Sequence, residues 1–484
     1  MGAADIGVNT LYWHDYETWG TRPALDRPSQ FAGVRTDAEL NIIGEPLVQF
    51  CRPTPDYLPN PEACLVTGIT PQQALEEGLS EAEFVANIHA ELSQSGTCTV
   101  GYNSIRFDDE VTRFALYRNF YDPYAREWQN GNSRWDLIDV VRLCYALRPD
   151  GIEWPRREDG SPSFRLEELT AANGLSHESA HDALSDVLAT IDLARLIRQA
   201  QPKLYDYALS LRNKRTVAAM LNTDSQVPVL HVSGRLSAAR GCSALMMPLA
   251  PHPVNKNSVI VYDLSVDPSP LITLDSDEVA RRIFSSSDEL GEDTPRIPLK
   301  EIHLNRAPIV ATPKLLDDAS AQRLQIDLDQ CRRHWSMLRK AEGLNETLAS
   351  VYAQREFSEN PDPDTQLYGG GFFSDGDRQQ MERLRKMLPE DLAGQHFQFS
   401  DRRLPEMLWR YRARNFPETL SAAERQRWLE FCRQRLRQPG EHLHGFDSFR
   451  QRLVELSDST DNDFQQFVLQ ELNDYADALE QEGL

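Results

Sequence analysis

The alternation of apolar and polar residues near the N-terminus predicts β-strands joined by turns. Between residues 8 and 50, apolar residues such as Val34, Ile42 and Leu47 alternate with polar ones, and turn-forming residues separate the alternating segments. A period of two is typical of half-buried strands. We therefore predict a β-meander over this region and a further buried strand over residues 97–103.

Helical periodicity dominates the following residues. A short loop beginning near Leu65 leads into a helix that places Phe84, Ile88 and Leu92 on one face. Strands interspersed with helices predict a mixed α/β domain. The further helices that we predict cover residues 108–120, 132–149, 164–174 and 181–199.

The pattern changes near residue 201. Residues 228–312 contain short β-like segments separated by Gly, Pro and Asn, with one predicted helix over residues 275–286. From about residue 316 the chain reads as helical, except for a loop at 358–375. A chain of 484 residues is too long for one core. The predicted domains are an α/β domain (8–201), a β domain with flanking helices (202–355) and a helical domain (358–484).

Composition is that of a soluble globular protein, with 40% hydrophobic and 26% charged residues. No segment approaches the roughly 20 apolar residues that cross a membrane. The N-terminus lacks a basic segment followed by an apolar one, which predicts a cytoplasmic protein without membrane contact. The seven cysteines lie far apart without CxxC or zinc-ligand spacing. They are therefore predicted to be free, mostly buried thiols.

The net charge of −23 limits the kinds of nucleic-acid binding that the chain supports. Binding to phosphates favours a basic surface, so the charge argues against a protein that binds DNA with its whole surface. The net charge is compatible with a local basic groove on an otherwise acidic exterior. A metal-dependent nuclease also requires clusters of acidic residues.

Three separated segments carry candidate chemistry, and each has an ordinary structural interpretation when taken alone. Asp15 and Glu17 lie two apart on a predicted strand, which places both carboxylates on one face, although such pairs are common on solvated strands. Asp108 and Asp109 begin a predicted helix, where either could be an N-cap that leaves the other free.

The third segment contains a histidine five residues before an aspartate. Asp182 is a reasonable N-cap, which places His181 just before the helix and Asp186 one turn inside it. Phosphodiester hydrolysis requires an activated water and neutralisation of charge on the attacking and leaving oxygens, and two Mg²⁺ ions held by carboxylates provide both. His181 could then accept the proton of the attacking water.

The order Asp-x-Glu, then Asp within N-x-x-x-F-D, then His-x-x-x-x-Asp resembles the DEDDh family of 3′–5′ exonucleases over roughly residues 8–200. The segments VTGIT (66–70) and FRLEELTAANGL (164–175) are also similar to that family. The spacing of histidine and aspartate matches its histidine branch. Further segments, such as GYNSIRFDDEVTRFALYRNFYDPYA and WRYRARNFPETL (409–420), extend the likeness to the whole chain and resemble the bacterial exodeoxyribonuclease I family.

This resemblance implies an α/β fold, with an RNase H-like DEDDh exonuclease domain followed by an SH3-like β-barrel domain and a C-terminal helical domain in a C-shaped clamp. It implies processive 3′→5′ degradation of single-stranded DNA to 5′-mononucleotides in DNA repair and recombination, by a monomer. The implied general base is His181. The implied ligands of two Mg²⁺ ions, for which Mn²⁺ can substitute, are Asp15, Glu17, Asp108 and Asp186.

Binding of single strands without sequence preference uses stacking aromatics beside cations. Residues 106–142 are rich in both, and Glu17 is implied to touch substrate as well as metal. Arg165 is a candidate for a phosphate near the scissile bond. The resemblance also implies a protein partner, the acidic C-terminal tail of single-stranded DNA-binding protein, and Arg148 is a candidate contact for it. The other predicted substrate contacts are Arg113, Tyr124, Trp128, Arg142, Lys214, Leu65, Thr67 and Ile69.

Two alternatives stay open at the level of sequence. An RNase or a proofreading exonuclease would use the same site, because the feature that distinguishes RNA is its 2′-OH and no residue pattern here indicates selectivity for it. Proofreading subunits are normally much shorter than this chain. A non-catalytic scaffold that binds single strands is the other alternative, and the presence of all five site residues argues against it.

Overall fold

The computed structural model describes residues 9–177, 182–291, 294–353, 361–440 and 444–484, and these residues form a mixed α/β structure. The strands are β1 (Thr10–Thr18), β2 (Pro28–Thr36), β3 (Leu47–Phe50), β4 (Thr97–Gly101), β5 (Ser133–Asp136), β6 (Val229–Val232), β7 (Ser243–Pro251), β8 (Ser258–Asp263), β9 (Leu299–His303) and β10 (Ile309–Ala311).

The α-helices are α1 (Pro61–Thr67), α2 (Pro71–Glu77), α3 (Glu81–Leu92), α4 (Asp108–Arg118), α5 (Leu137–Leu147), α6 (Leu166–Ala172), α7 (Ala183–Ala200), α8 (Pro202–Ser210), α9 (Lys214–Met220), α10 (Ser269–Thr273), α11 (Ser276–Phe284), α12 (Ser287–Leu290), α13 (Asp318–Arg323), α14 (Leu328–Lys340), α15 (Leu344–Ala353), α16 (Asp375–Arg385), α17 (Pro389–Leu392), α18 (Leu404–Asn415), α19 (Ala422–Arg437), α20 (Phe446–Asp458) and α21 (Asp463–Gln481). No helix within the described ranges is long and apolar enough to cross a membrane.

The described residues divide into two compact units, each built from separated parts of the chain. The terminal unit contains residues 9–132, 182–188 and the described part of 361–484. The central unit contains residues 133–177 and the described part of 189–353.

Strand β1 lies at the centre of the terminal unit. It pairs antiparallel with β2 and parallel with β4, and β2 pairs antiparallel with β3. One face of this sheet is covered by α3 and α4 through a core that includes Tyr16, Phe31 and Phe84, whose rings lie 4.8–6.5 Å apart. Because β1 is buried, the polar residues that it carries are held rigidly.

Buried ion pairs link the segment after β3 to helix α18 within the same unit. Asp56 is fully buried and accepts hydrogen bonds from Arg27 (3.2 Å) and Arg414 (2.8 Å). Asp364 accepts from Arg414 (2.6 Å) and Arg410 (3.0 Å). Burial alone would raise the pKa of Asp56, but the two guanidiniums hold that pKa well below its usual value. The helical C-terminal segment is therefore anchored by charge as well as by apolar packing.

The central unit contains an antiparallel sheet in the order β10-β6-β7-β8-β9. Every residue of β6 and β8 is buried. The β-rich prediction for residues 228–312 is confirmed, although α10 and α12 accompany the one helix expected there. The seven cysteines are free and buried, as predicted.

Two predicted elements are wrong. Residues 132–149 were expected to be one helix, but β5 occupies the first part. Asp136 is extended and its side chain accepts from the Ile138 amide at 3.2 Å, so it caps a helix that begins only at Leu137. The loop expected from Leu65 is largely helical, because Asn60 and Thr70 each cap a helix that has proline in its first turn.

Candidate active site

Three carboxylates from distant parts of the chain converge in the terminal unit. Asp15 and Glu17 extend from the same face of β1, as their spacing predicts, and Asp186 lies in the first turn of α7. Each offers one carboxylate oxygen, and these oxygens all lie within 4.8 Å of one another. Glu17 is buried, whereas Asp15 and Asp186 are half-buried. The group can therefore hold a metal ion and is still open to a ligand.

The two aspartates at the start of α4 have different roles. Phe107 occupies the N-cap position of α4, and its side chain makes no capping hydrogen bond. Neither Asp108 nor Asp109 is therefore the N-cap that the sequence suggested. Asp108 accepts a hydrogen bond from the Tyr16 amide at 3.0 Å, which places it against β1 at the residue between Asp15 and Glu17 in sequence. Asp109 instead forms a buried ion pair with Arg126 at 2.5 Å.

Helix α7 is attached to the sheet beside Glu17. Gln30, which lies opposite Glu17 in the β1–β2 register, accepts a hydrogen bond from the Ala183 amide at 3.3 Å. Asp182 caps the helix as predicted, because its carboxylate accepts from the Ser185 amide at 3.1 Å. These contacts fix the first turn of α7, and with it Asp186, against the sheet.

The carboxylate cluster is electrostatically unfavourable without a cation. Burial raises the pKa of Asp15, and the neighbouring carboxylates of Asp108, Glu17 and Asp186 raise it further. Burial and the charges of Asp186, Asp108 and Asp182 raise the pKa of Glu17 to about 9. Hard oxygen ligands that repel one another fit a divalent cation, which would relieve this repulsion. The predicted general base, His181, lies outside the described residues.

Arg113 lies below an aromatic surface and is neutralised by acidic neighbours. Its guanidinium pairs with Glu127 (2.7 Å) and Glu110 (2.8 Å), and only 5% of its side chain is exposed. It also donates to the Tyr368 hydroxyl at 3.1 Å and lies 5.3 Å from the centroid of the Tyr124 ring. A phosphate would have to compete with two carboxylates, so Arg113 mainly orients the two tyrosines.

The other predicted contacts of the terminal unit differ in exposure. Trp128 is 67% exposed and offers its ring to solvent. Leu65 and Thr67, on α1, are half-buried. Ile69 is only 6% exposed and belongs to the core, so any contact with a nucleotide would use its backbone.

Three predicted contacts belong to the central unit. Arg142 pairs with Asp139 at 2.6 Å and is 11% exposed. Arg165 is 67% exposed and lies 3.6 Å from Glu168. Lys214, the exposed first residue of α9, donates to Asn257. The exposed Arg165 and Lys214 are the better placed of the three to reach a phosphate.

Comparison with known proteins gives the family. Models of three families match consecutive parts of the chain: Exonuclease (residues 12–194), Exonuclease I SH3-like domain (212–354) and Exonuclease I C-terminal domain (361–479). Exodeoxyribonuclease I of Escherichia coli K12 is 49% identical over 92% of this chain and 94% of its own length. The chain belongs to the exodeoxyribonuclease I family.

Solved structures of exonuclease I are similar to this chain over almost its whole length. The crystal structure of E. coli exonuclease I in complex with a dA16 oligonucleotide has a TM-score of 0.94 at 46% identity, over 97% of this chain and 100% of that one. The zinc ion bound form of the E. coli exonuclease I–single-stranded DNA complex has a TM-score of 0.93 at 46% identity, over 98% of this chain and 99% of that one. The predicted family, the order of RNase H-like exonuclease, SH3-like and C-terminal domains, and the assignment as an exonuclease, a hydrolase, are confirmed.

Sequence reasoning missed the exposed ring of Phe372 beside Tyr124, and the contacts made by Gln30 and Arg126. Phe372 is 82% exposed, and its ring lies 5.9 Å from that of Tyr124. The segment YGGGFF (368–373) carried a usable signal, because an aromatic pair after three glycines in a polar loop is unusual for a core. Gln30 and Arg126 carried no such signal, since their roles depend on pairing register and on a buried contact.

Proposed function

We propose that this chain degrades single-stranded DNA from its 3′ end, processively and to 5′-mononucleotides, by two-metal-ion hydrolysis in DNA repair and recombination. The observation that carries the proposal is the convergence of the Asp15, Glu17 and Asp186 oxygens within 4.8 Å beside Asp108. The bound oligonucleotides of the similar E. coli structures support a single-stranded DNA substrate.

In this mechanism Asp15, Glu17, Asp108 and Asp186 would hold two Mg²⁺ ions, for which Mn²⁺ would substitute. When bound, the ions would supply charge neutralisation at the attacking and leaving oxygens. The Tyr16 amide orients Asp108, and Gln30 holds the first turn of α7 in place, so the ligands are positioned before substrate arrives. His181 accepts the proton of the attacking water.

The strand is held by stacking and by cations. Trp128, Tyr124 and Phe372 present aromatic surface, and stacking tolerates any sequence because every base has a π-face. Arg165 and Lys214 contact phosphates, Arg142 is a further cation of the same unit, and Arg113 orients Tyr124 and Tyr368. The α1 segment with Leu65, Thr67 and the backbone of Ile69 receives the terminal nucleotide.

The remaining proposals concern the setting of the enzyme. We propose a cytoplasmic monomer with domain limits at 8–201, 202–355 and 358–484.

The acidic tail of single-stranded DNA-binding protein would bind basic residues that include Arg148, which is exposed after α5. Weaker binding of that tail peptide to Arg148→Ala, measured by fluorescence anisotropy, is expected, and unchanged affinity would remove Arg148 from the contact.

End-labelled substrates test the main proposal. With Mg²⁺, a 3′-labelled single strand should release labelled mononucleotide at once, whereas a 5′-labelled strand should shorten stepwise, and EDTA should abolish both reactions. A matched RNA strand separates a deoxyribonuclease from an RNase. Internal cleavage products would contradict an exonuclease mechanism, and an inert protein would favour the scaffold alternative.

Trp128→Ala is expected to weaken binding of single-stranded DNA by about 1–3 kcal/mol, which is the usual contribution of one stacked base. Affinity is measured in EDTA, where the strand is not degraded. Because Trp128 is exposed, the melting temperature should stay unchanged, and Trp128→Phe should retain most of the affinity. Equal affinity of Trp128→Ala and wild type would remove this residue from the binding surface.

A further inference from the structure

Helix α21, at the C-terminus, packs against the α1–α2 segment of the nuclease fold. We propose that Phe464 of α21 is a positioning residue that sets the conformation of the turn between α1 and α2, and thereby the placement of the 3′-terminal nucleotide. The effect on the 3′-terminal nucleotide rests on the proposed function, which assigns the α1 segment to that nucleotide.

The turn has a specific backbone geometry. Gly68 has φ +72° and ends α1 in the left-handed conformation, with its amide donating to the Cys64 carbonyl at 2.8 Å. The next amide, of Ile69, donates to the Thr67 hydroxyl at 3.2 Å. Only three residues separate α1 from α2, so a change at Gly68 alters the direction of both helices.

The ring of Phe464 covers this glycine. A Cβ placed on Gly68 would lie 3.0 Å from Cζ and 3.1 Å from Cε1 of Phe464. The ring thus occupies the space into which a side chain at position 68 would extend. Phe464 lies in the first turn of α21, where Asn462 caps the helix by accepting from the Gln465 amide at 3.0 Å. The cap therefore fixes the start of α21, and with it the ring of Phe464, against the turn.

The rest of α21 supports the same segment from behind. Cys64, Ile69 and Ala74 share a buried cluster with Val468 and Leu472 of α21. A hydrogen bond from the Gln72 side chain to the Glu471 carbonyl, at 2.6 Å, joins α2 to the same helix. Each of α1 and α2 has only seven residues. Helices of this length are unstable alone, so their position depends on this packing.

The opposite side of the segment faces solvent. Val66 is 56% exposed, and Leu65 and Thr67 are half-buried. Phe464 itself is 57% exposed, so its ring contributes less apolar burial than a core residue would. We therefore attribute the role of Phe464 mainly to its contact with the turn, and only to a lesser extent to stabilisation of the apolar core. Removing the ring should loosen the turn without unfolding the unit.

The expected consequence is kinetic. Reaction rates fall about 100-fold for a misplacement of roughly 1 Å, so a loosened turn should lower kcat by about tenfold. Most affinity for the strand resides in the stacking aromatics and cations, so the Kd for single-stranded DNA in EDTA should change less than about twofold. A lower kcat together with a nearly unchanged Kd distinguishes a positioning role from general destabilisation of the protein.

Phe464→Ala, Phe464→Leu and Phe467→Ala test the inference in the full-length protein. Phe467 is a matched control, because it lies one turn along the same helix, is 53% exposed, and its ring centroid is 6.5 Å from that of Phe464. For each variant we would measure kcat, Kd in EDTA, and hydrogen exchange by mass spectrometry. Phe464→Ala should lose protection specifically at residues 60–78 and lose kcat, Phe464→Leu should recover part of both, and Phe467→Ala should match wild type.

The outcomes separate the two proposals. If wild type releases no nucleotides, the proposed function fails, whereas the exchange data still decide whether Phe464 orders the turn. Wild-type exchange at residues 60–78 in Phe464→Ala would overturn the inference. So would equal losses in Phe464→Ala and Phe467→Ala, or a loss of protection spread over the whole unit with Phe464→Leu equally affected.

Discussion

Asp15→Asn is expected to lower the rate of nucleotide release by roughly 10⁴-fold, as removal of a member of a catalytic set commonly does. Burial and the neighbouring carboxylates of Asp108, Glu17 and Asp186 raise the pKa of Asp15, so its charged form is disfavoured until a cation is bound. Asparagine keeps its shape but removes the charge that neutralises a bound cation. Single-turnover rates at saturating Mg²⁺ would measure the loss.

The same substitution is expected to lower activity without lowering the stability of the metal-free protein. Without metal, Asp15→Asn removes a carboxyl group whose charged form is disfavoured by burial and by the neighbouring carboxylates, so its melting temperature in EDTA should equal or exceed that of wild type. Stabilisation by Mn²⁺ should be smaller than in wild type. Glu39→Gln, at an exposed position, is the control and should change neither property. Full activity in Asp15→Asn would rule out the metal mechanism.

His181→Ala is expected to lower kcat by roughly 10²–10⁴-fold, the usual contribution of a general base. The described residues support this assignment indirectly. His181 directly precedes Asp182, which caps α7, and the first turn of that helix carries Asp186 into the carboxylate cluster. Because His181 is not among the proposed ligands, binding of Mn²⁺ should be largely retained.

The pH dependence of the rate provides the decisive readout. In wild type, kcat should fall as pH decreases through the pKa of a histidine, ordinarily about 6.5, because the protonated form cannot accept the proton of water. This acidic limb should disappear in His181→Ala, while His177→Ala, in the preceding segment, should keep it. An unchanged profile in His181→Ala would assign the base to another group.

Local patterns determined much of the fold and the site. The period-two spacing of Asp15 and Glu17 correctly predicted a shared strand face, and Asp182 correctly predicted the start of α7. Such patterns depend on interactions within a few residues, which the sequence displays directly. The order of the acidic motifs also indicated the family, because the chemistry requires these residue types together.

Only the tertiary structure decided how those residues meet and what surrounds them. Asp108, and not Asp109, joins the β1 carboxylates, because Arg126 neutralises its neighbour. Arg113 is buried between two glutamates, and Ile69 faces the core beneath α21. Each of these outcomes depends on a contact between residues distant in sequence. Sequence spacing alone contains no information about such contacts, because they are set by sheet register and by the packing of helices from opposite ends of the chain.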